Sequence, residues 1–231
     1  MRQVLAIAVL AAAIVRPAAA AATFDDQVRA AMAPYYASLL TSARNDGEGT
    51  LRHIVALRAR WSNVQQVTDR PAWAKDVVDV VTTRIEAART RTLARDVVGA
   101  HAQLESIRAM LRDARARAGL RTFDDAVTDF HEAMERLTGR AGLHNEIALN
   151  ADDYAAIEAH VAKAAAAWAE MQATAGSAHA TAAWPKIADA TARDFSKLRA
   201  ATTAKDMDAT QVAAEELKAR YFDLPAVLAR S

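Results

Sequence analysis

The chain is 231 residues long, carries a formal charge of +1 and contains no cysteine. The missing cysteine excludes disulfides, thiolate metal sites and haem attached through Cys-x-x-Cys-His. The near-neutral balance, with arginines interleaved among aspartates, offers no basic face for nucleic acid. Glycine (7), proline (5) and aromatics (6%) are scarce while alanine, arginine, aspartate and leucine dominate, which is the composition of an all-helical protein.

Residues 1–22 read as a cleavable secretory signal. Arg2 supplies the positive start, 4–15 an apolar stretch and 18–22 a run of small residues suited to signal peptidase, with cleavage after Ala20 or Ala22. About a dozen apolar residues fall short of the roughly 20 that span a bilayer. A periplasmic protein with no membrane span after cleavage is therefore expected. Losing Arg2 and Arg16 leaves it near −1.

Thr23 is a good N-cap for a first helix running to about Ala43, with Asp25 and Asp26 at its positive end. Pro34 inside it predicts a kink or a break. Residues 45–49, rich in Asn, Asp and Gly, interrupt the pattern. A second helix carries His53, Leu57 and Trp61 on one face and ends at Asp69-Arg70-Pro71. The third is expected to hold Trp73, Val77, Val80 or Val81, Arg84 or Ile85, and Ala88 on its periodic positions. The fourth runs from about Asp96 through Leu104, Ile107 and Leu111 to Ala118, with Gly119 as C-cap.

From Thr122 the chain repeats itself. Thr122-Phe123-Asp124-Asp125 with Val127 copies Thr23-Phe24-Asp25-Asp26 with Val28 at a constant offset of 99 residues. Later, Asp46, His53, Ile54 and Trp61 recur as Asp153, His160, Val161 and Trp168, Trp73 as Trp184, and Asp96, Ile107 and Arg108 as Asp206, Leu217 and Lys218. A helix through Val127, Phe130, Met134 and Leu137 is followed by a loop or short helix over 141–150. Three more helices then hold Ile157 to Trp168, Trp184 to Leu198 and Val212 to Tyr221. The reading is all-α: two tandem up-down-up-down four-helix units over 23–120 and 121–231, with the four tryptophans as matched, mostly buried anchors.

The stretch 200–221, AATTAKDMDATQVAAEELKARY, with its Asp206-to-Lys218 run ending in Glu-Leu-Lys, and the opening Asp25-Asp26-Gln27-Val28 followed by Met32, resemble the soluble periplasmic cytochrome b family, four-helix bundles related to the cytochrome c-prime fold. The resemblance implies a haem held between a methionine on the first helix and a histidine on the last. Met32 stands at the methionine position of the first unit; the second unit has His131 there and Met134 one turn on. At the histidine position stand Arg115 and Pro225, neither of which can ligate iron.

Two more groups of residues could hold a divalent metal. His101 and Glu105, and His131 and Glu135, are i, i+4 pairs on consecutive helices; a simple hairpin sets Glu105 opposite Glu135 and leaves the histidines roughly 10–14 Å apart, as exposed pairs supporting their helices. His53 and His160 recur at one place in both units, two turns before a tryptophan, in semi-buried positions. No nucleophile elbow, phosphate loop or Glu-x-x-His motif occurs. The sequence therefore points to a non-enzymatic module, without cofactor, that binds an unknown periplasmic protein or a small ligand. The alternative is a haem- or metal-binding protein of electron transfer or metal handling.

Overall fold

The computed structural model describes residues 22–138, 154–175, 184–221 and 224. Residues 1–21 of the expected signal, the loop or short helix expected over 141–150, Asp153 and Pro225 lie outside them. Among the described residues there are eight α-helices and no strand: α1 (Phe24–Ala43), α2 (Gly47–Gln66), α3 (Val77–Leu93), α4 (Val97–Arg117), α5 (Phe123–Thr138), α6 (Tyr154–Thr174), α7 (Trp184–Thr203) and α8 (Met207–Tyr221). Helix α1 packs on α2 and α4, and α3 packs on the same two, closing a ring of four. Helices α5 to α8 close a second ring in the same order, and the rings meet along α4 and α5. No described helix is long and apolar enough to cross a membrane.

Both units start with the same device. Thr23 and Asp26 form a reciprocal capping box at the head of α1. At the head of α5, the backbone N–H of Thr122 donates to Asp125 at 2.9 Å, and that of Asp125 donates back to Thr122 Oγ1 at 3.4 Å. Three of the connections, α1 to α2, α3 to α4 and α7 to α8, turn through one repeated motif. Asn45, Arg95 and Lys205 take positive φ of 56°, 62° and 54°, and each is followed by an aspartate whose carboxylate accepts from the backbone three residues on, at Gly49, Gly99 and Ala209.

The interior of the first ring is filled from α1 by Phe24, Val28, Ala31, Tyr35 and Leu39 and from α4 by Ala100, Leu104, Ile107, Leu111 and Ala114, at spacings of three or four. Of the alternatives on α3, the core takes Val81 and Ile85 and leaves Val80 at the surface. The second ring is filled by Phe130, Met134, Leu137, Val161, Trp168, Met171, Leu198 and Leu217.

Three expectations need correction. Of the two outcomes expected at Pro34, the break does not occur: α1 is continuous through it, with Ala31, Tyr35 and Tyr36 buried around the proline. Trp73 does not belong to the third helix: it lies in a 3₁₀ turn over Ala72–Ala74, and α3 starts at Val77. The tryptophans also divide. Trp61 and Trp168 are buried, while Trp73 and Trp184 are half-buried, each edge-on to the phenylalanine that opens its unit, Trp73 to Phe24 at 5.6 Å and Trp184 to Phe123 at 5.7 Å. An aromatic at the rim of a bundle closes its end and keeps one side at the surface.

Candidate functional site: a buried polar seam between the units

Helix α4 carries two stripes. The apolar one faces its own bundle; beside it His101, Glu105, Arg108, Arg112 and Arg115 recur at spacings of four, three, four and three, so they share a second face. Helix α5 answers with Asp125, Asp129, His131, Glu132 and Glu135. The turn at Gly119, with φ 71° and Leu120 N–H donating to the Arg115 carbonyl at 2.9 Å, reverses the chain so that the two polar faces meet.

At the turn end, Arg115 Nε donates to both oxygens of Asp125 at 2.9 and 3.1 Å. Asp125 is 1% exposed and also accepts from the hydroxyl of Thr122 at 2.9 Å. The Arg115 guanidinium lies over the Trp73 ring, 5.6 Å from its centre. One turn further along α4, Arg112 pairs with Asp129 at 2.7 Å and Glu132 at 2.8 Å.

Deeper in the seam, Arg108 pairs with Glu105 and donates to the Tyr221 hydroxyl at 2.8 Å. His131 stands between two carboxylates, its Nε2 being 3.6 Å from Glu105 and 3.9 Å from Glu135, and its ring packs against Tyr221 at 4.7 Å. Lys218 on α8 reaches Glu135 at 2.7 Å. His101 Nε2 lies 3.4 Å from the other oxygen of Glu105, and its Nδ1 is 2.8 Å from Ser42 Oγ. That hydroxyl donates to the Leu39 carbonyl, so it accepts from His101 Nδ1–H. Across the seam, Tyr36 donates to Asp124 at 2.8 Å. Burial, then the neighbouring Asp124 charge, pushes the Tyr36 hydroxyl well above its usual pKa; burial also raises that of Tyr221.

The structure thus gathers His101, Glu105, His131 and Glu135 into one network, where the sequence predicted exposed pairs with the histidines held to either side. Both histidines are buried. The hairpin reading leaves out α1 and α8, whose Ser42, Lys218 and Tyr221 close the seam over both pairs. Met32 is half-buried on α1, and Met134 is fully buried in the second core. His53 and His160 are half-buried at matching places on α2 and α6.

Unforeseen were Arg108, Arg112, Asp125, Lys218, Tyr36 and Tyr221. The polar stripe on α4 was their signal, because a solvated face does not need its arginines in heptad register beside the core.

Each central carboxylate is answered by a cation: Glu105 by Arg108, Glu135 by Lys218 and Asp125 by Arg115. Buried charges are tolerated when paired in this way. Among the described residues no group of three or more His, Asp or Glu side chains is arranged to hold a metal ion. Comparison with known protein families, with curated proteins and with solved structures finds no match to this chain.

Proposed function

We propose that this protein is a non-enzymatic tandem helical module of the periplasm, built on the plan of the soluble b-type cytochromes without their haem, which binds a partner protein or a small ligand. One observation carries the reading. Arg115, at the place where the resemblance puts an axial histidine, is committed to a buried ion pair with Asp125. Haem of that kind needs a side-chain lone pair on both sides of the iron, and a guanidinium has none. His131, at the methionine position of the second unit, stands between Glu105 and Glu135, so these two of the three departures from the family pattern serve the contact between units. With no haem to carry electrons, binding is the remaining use of a rigid pair of bundles.

The test is the absorption spectrum and metal content of protein purified from a secretory host, followed by titration with haem. The expected result is no Soret band, no stoichiometric metal and no low-spin spectrum on titration. Sharp low-spin bands at one haem per unit, abolished by Met32→Ala or His131→Ala, would put the electron-transfer reading ahead. Intact mass of the exported protein should show a start near Ala21 or Thr23; retained Met1 would argue against periplasmic processing.

The second reading, a divalent metal in the seam, rests on the separations of 3.4, 3.6 and 3.9 Å that link His101, Glu105, His131 and Glu135 in series. Two ligands about 2.0–2.2 Å from one tetrahedral ion stand at about such a distance. Arg108 and Lys218 would both have to leave their carboxylates, so stoichiometric zinc in the purified protein is the result that favours it.

A further inference from the structure

The meeting of the two polar faces depends on one reversal of the chain, and few residues make it. Between the end of α4 and the head of α5 lie residues 118–122, where Gly119 takes φ 71°. A left-handed residue at this place ends the helix. A Cβ added at Gly119 would meet nothing within 4 Å, so backbone conformation alone, and no packing around the glycine, asks for glycine there. Residues 117–123 contain no proline, and nothing in their side chains forbids a helix that runs straight on.

The polar stripe continues through the turn. Carried on at its own spacings, the α4 series through Arg112 and Arg115 falls on Gly119, Thr122 and Asp129 and beside Asp125 and Glu132. A single helix from α4 to α5 would therefore carry both halves of the seam on one face. The pairs are also centred on the turn: Arg115 and Asp125 each stand five residues from Leu120, and Arg112 and Asp129 stand eight and nine. Two such helices, antiparallel about a two-fold axis near Leu120, would bring Arg115 of each copy to Asp125 of the other, and Arg112 to Asp129 and Glu132. Each ring closes around its own apolar core, so separating the units uncovers mainly charged groups that water solvates. The hydration they regain offsets much of the lost pairing.

We infer that the seam is also an interface between copies of this chain: residues 118–122 become helical, and the first unit of each chain pairs with the second unit of the other in a reciprocal dimer. The partner is a second copy, and the inference stands whether or not either unit binds haem. Gly119 sets the balance, because glycine takes the closed turn without strain while any alanine there favours the straight helix. The experiment measures the mass of the exported protein by light scattering after size exclusion, over a dilution series. Gly119→Ala should favour the open chain by about tenfold. Each dimer releases the hinge of both chains, so the dimerisation constant should rise about a hundredfold. Gly119→Asn, which tolerates the left-handed turn, should stay close to the wild-type chain.

A complementary pair of chains locates the contact. Arg112→Glu in one chain, and Asp129→Asn with Glu132→Lys in another, each set like charges against each other across the seam. Either chain alone keeps that clash whether closed or swapped. In a reciprocal dimer of the two, one seam pairs the new carboxylate with the new ammonium and the other is wild type. The mixture should therefore form a 1:1 dimer, seen by native mass spectrometry, at concentrations where each component is monomeric. A dimerisation constant unchanged by Gly119→Ala, or a mixture as monomeric as its components, would overturn the inference; equally strong dimers from either component alone would place the contact elsewhere and overturn it too. Circular dichroism checks that each variant is folded, and a charge variant that fails to fold leaves the Gly119 series to decide.

Discussion

Arg115 and Asp125 are both almost wholly buried, so removing one leaves the other's charge in a dry seam. Arg115→Met is expected to cost about 3–5 kcal/mol, read as a loss of unfolding free energy in urea; a cost below about 1 kcal/mol would mean that water reaches Asp125 once the guanidinium is gone. The tryptophans give a graded comparison. Trp61→Ala and Trp168→Ala, in closed cores, should each cost about 3–5 kcal/mol. Trp73→Ala and Trp184→Ala, at half-buried rims, should cost clearly less. Four equal losses in thermal unfolding would contradict the split between core and rim. Periodicity shows that a tryptophan faces its bundle; how deeply it sits depends on the turn before α3, where Pro71 begins a 3₁₀ segment.

The hairpin motif makes its own test at the scale of elements. Asp206→Ala removes one capping bond and should cost about 1 kcal/mol. Asp96→Ala should cost more, because Asp96 also pairs with Arg91 at 2.6 Å. The Gly99 amide first, then Arg91, holds the Asp96 carboxyl below its usual range. Asp76→Ala, at the head of α3 where the aspartate makes no side-chain capping bond, should change stability by less than about 0.5 kcal/mol. Chemical denaturation of the three variants ranks them directly, and Asp76 ranking with Asp96 would show a cap where none is seen. Helix limits were largely legible in the sequence because caps are local chemistry: Thr23, Asp96 and Thr122 announce their helices, and Gly119 ends α4. Trp73 was misplaced because a stretch starting with proline can enter either a 3₁₀ turn or a first α-helical turn.

Across the whole molecule, the seam joins the first and last helices of both units: Tyr36 on α1 reaches α5, and Arg108 on α4 reaches α8. Equivalent faces of the two repeats therefore meet, and three buried tyrosines line or back the contact. Burial raises the pKa of Tyr35, Tyr36 and Tyr221 above the usual 10.0. With the folded values raised, the unfolded chain starts to release these protons near pH 10 while the folded chain keeps them. Stability is fully present below about pH 10 and falls as pH rises, by up to about 1.4 kcal/mol per pH unit for each tyrosine. Urea unfolding between about pH 9 and 11 should show the steep loss, and Tyr36→Phe should make it shallower. An unchanged slope in that variant would mean Tyr36 ionises freely in the folded protein.

The sequence alone determined the helices, the order of the two units and the apolar stripe of each helix, because caps, turns and a 3.6-residue period are properties of neighbouring residues. It also named His101, Glu105, His131 and Glu135 as residues worth placing. What they are for was decided by tertiary structure. Glu105 and His131 meet only because a reversal at Gly119 presses α4 on α5, and Lys218 and Tyr221 arrive from more than eighty residues away to complete the network. The charge of a buried carboxylate is settled by whichever cation the fold brings to it, and that depends on the packing of four helices, which no single stretch of chain encodes.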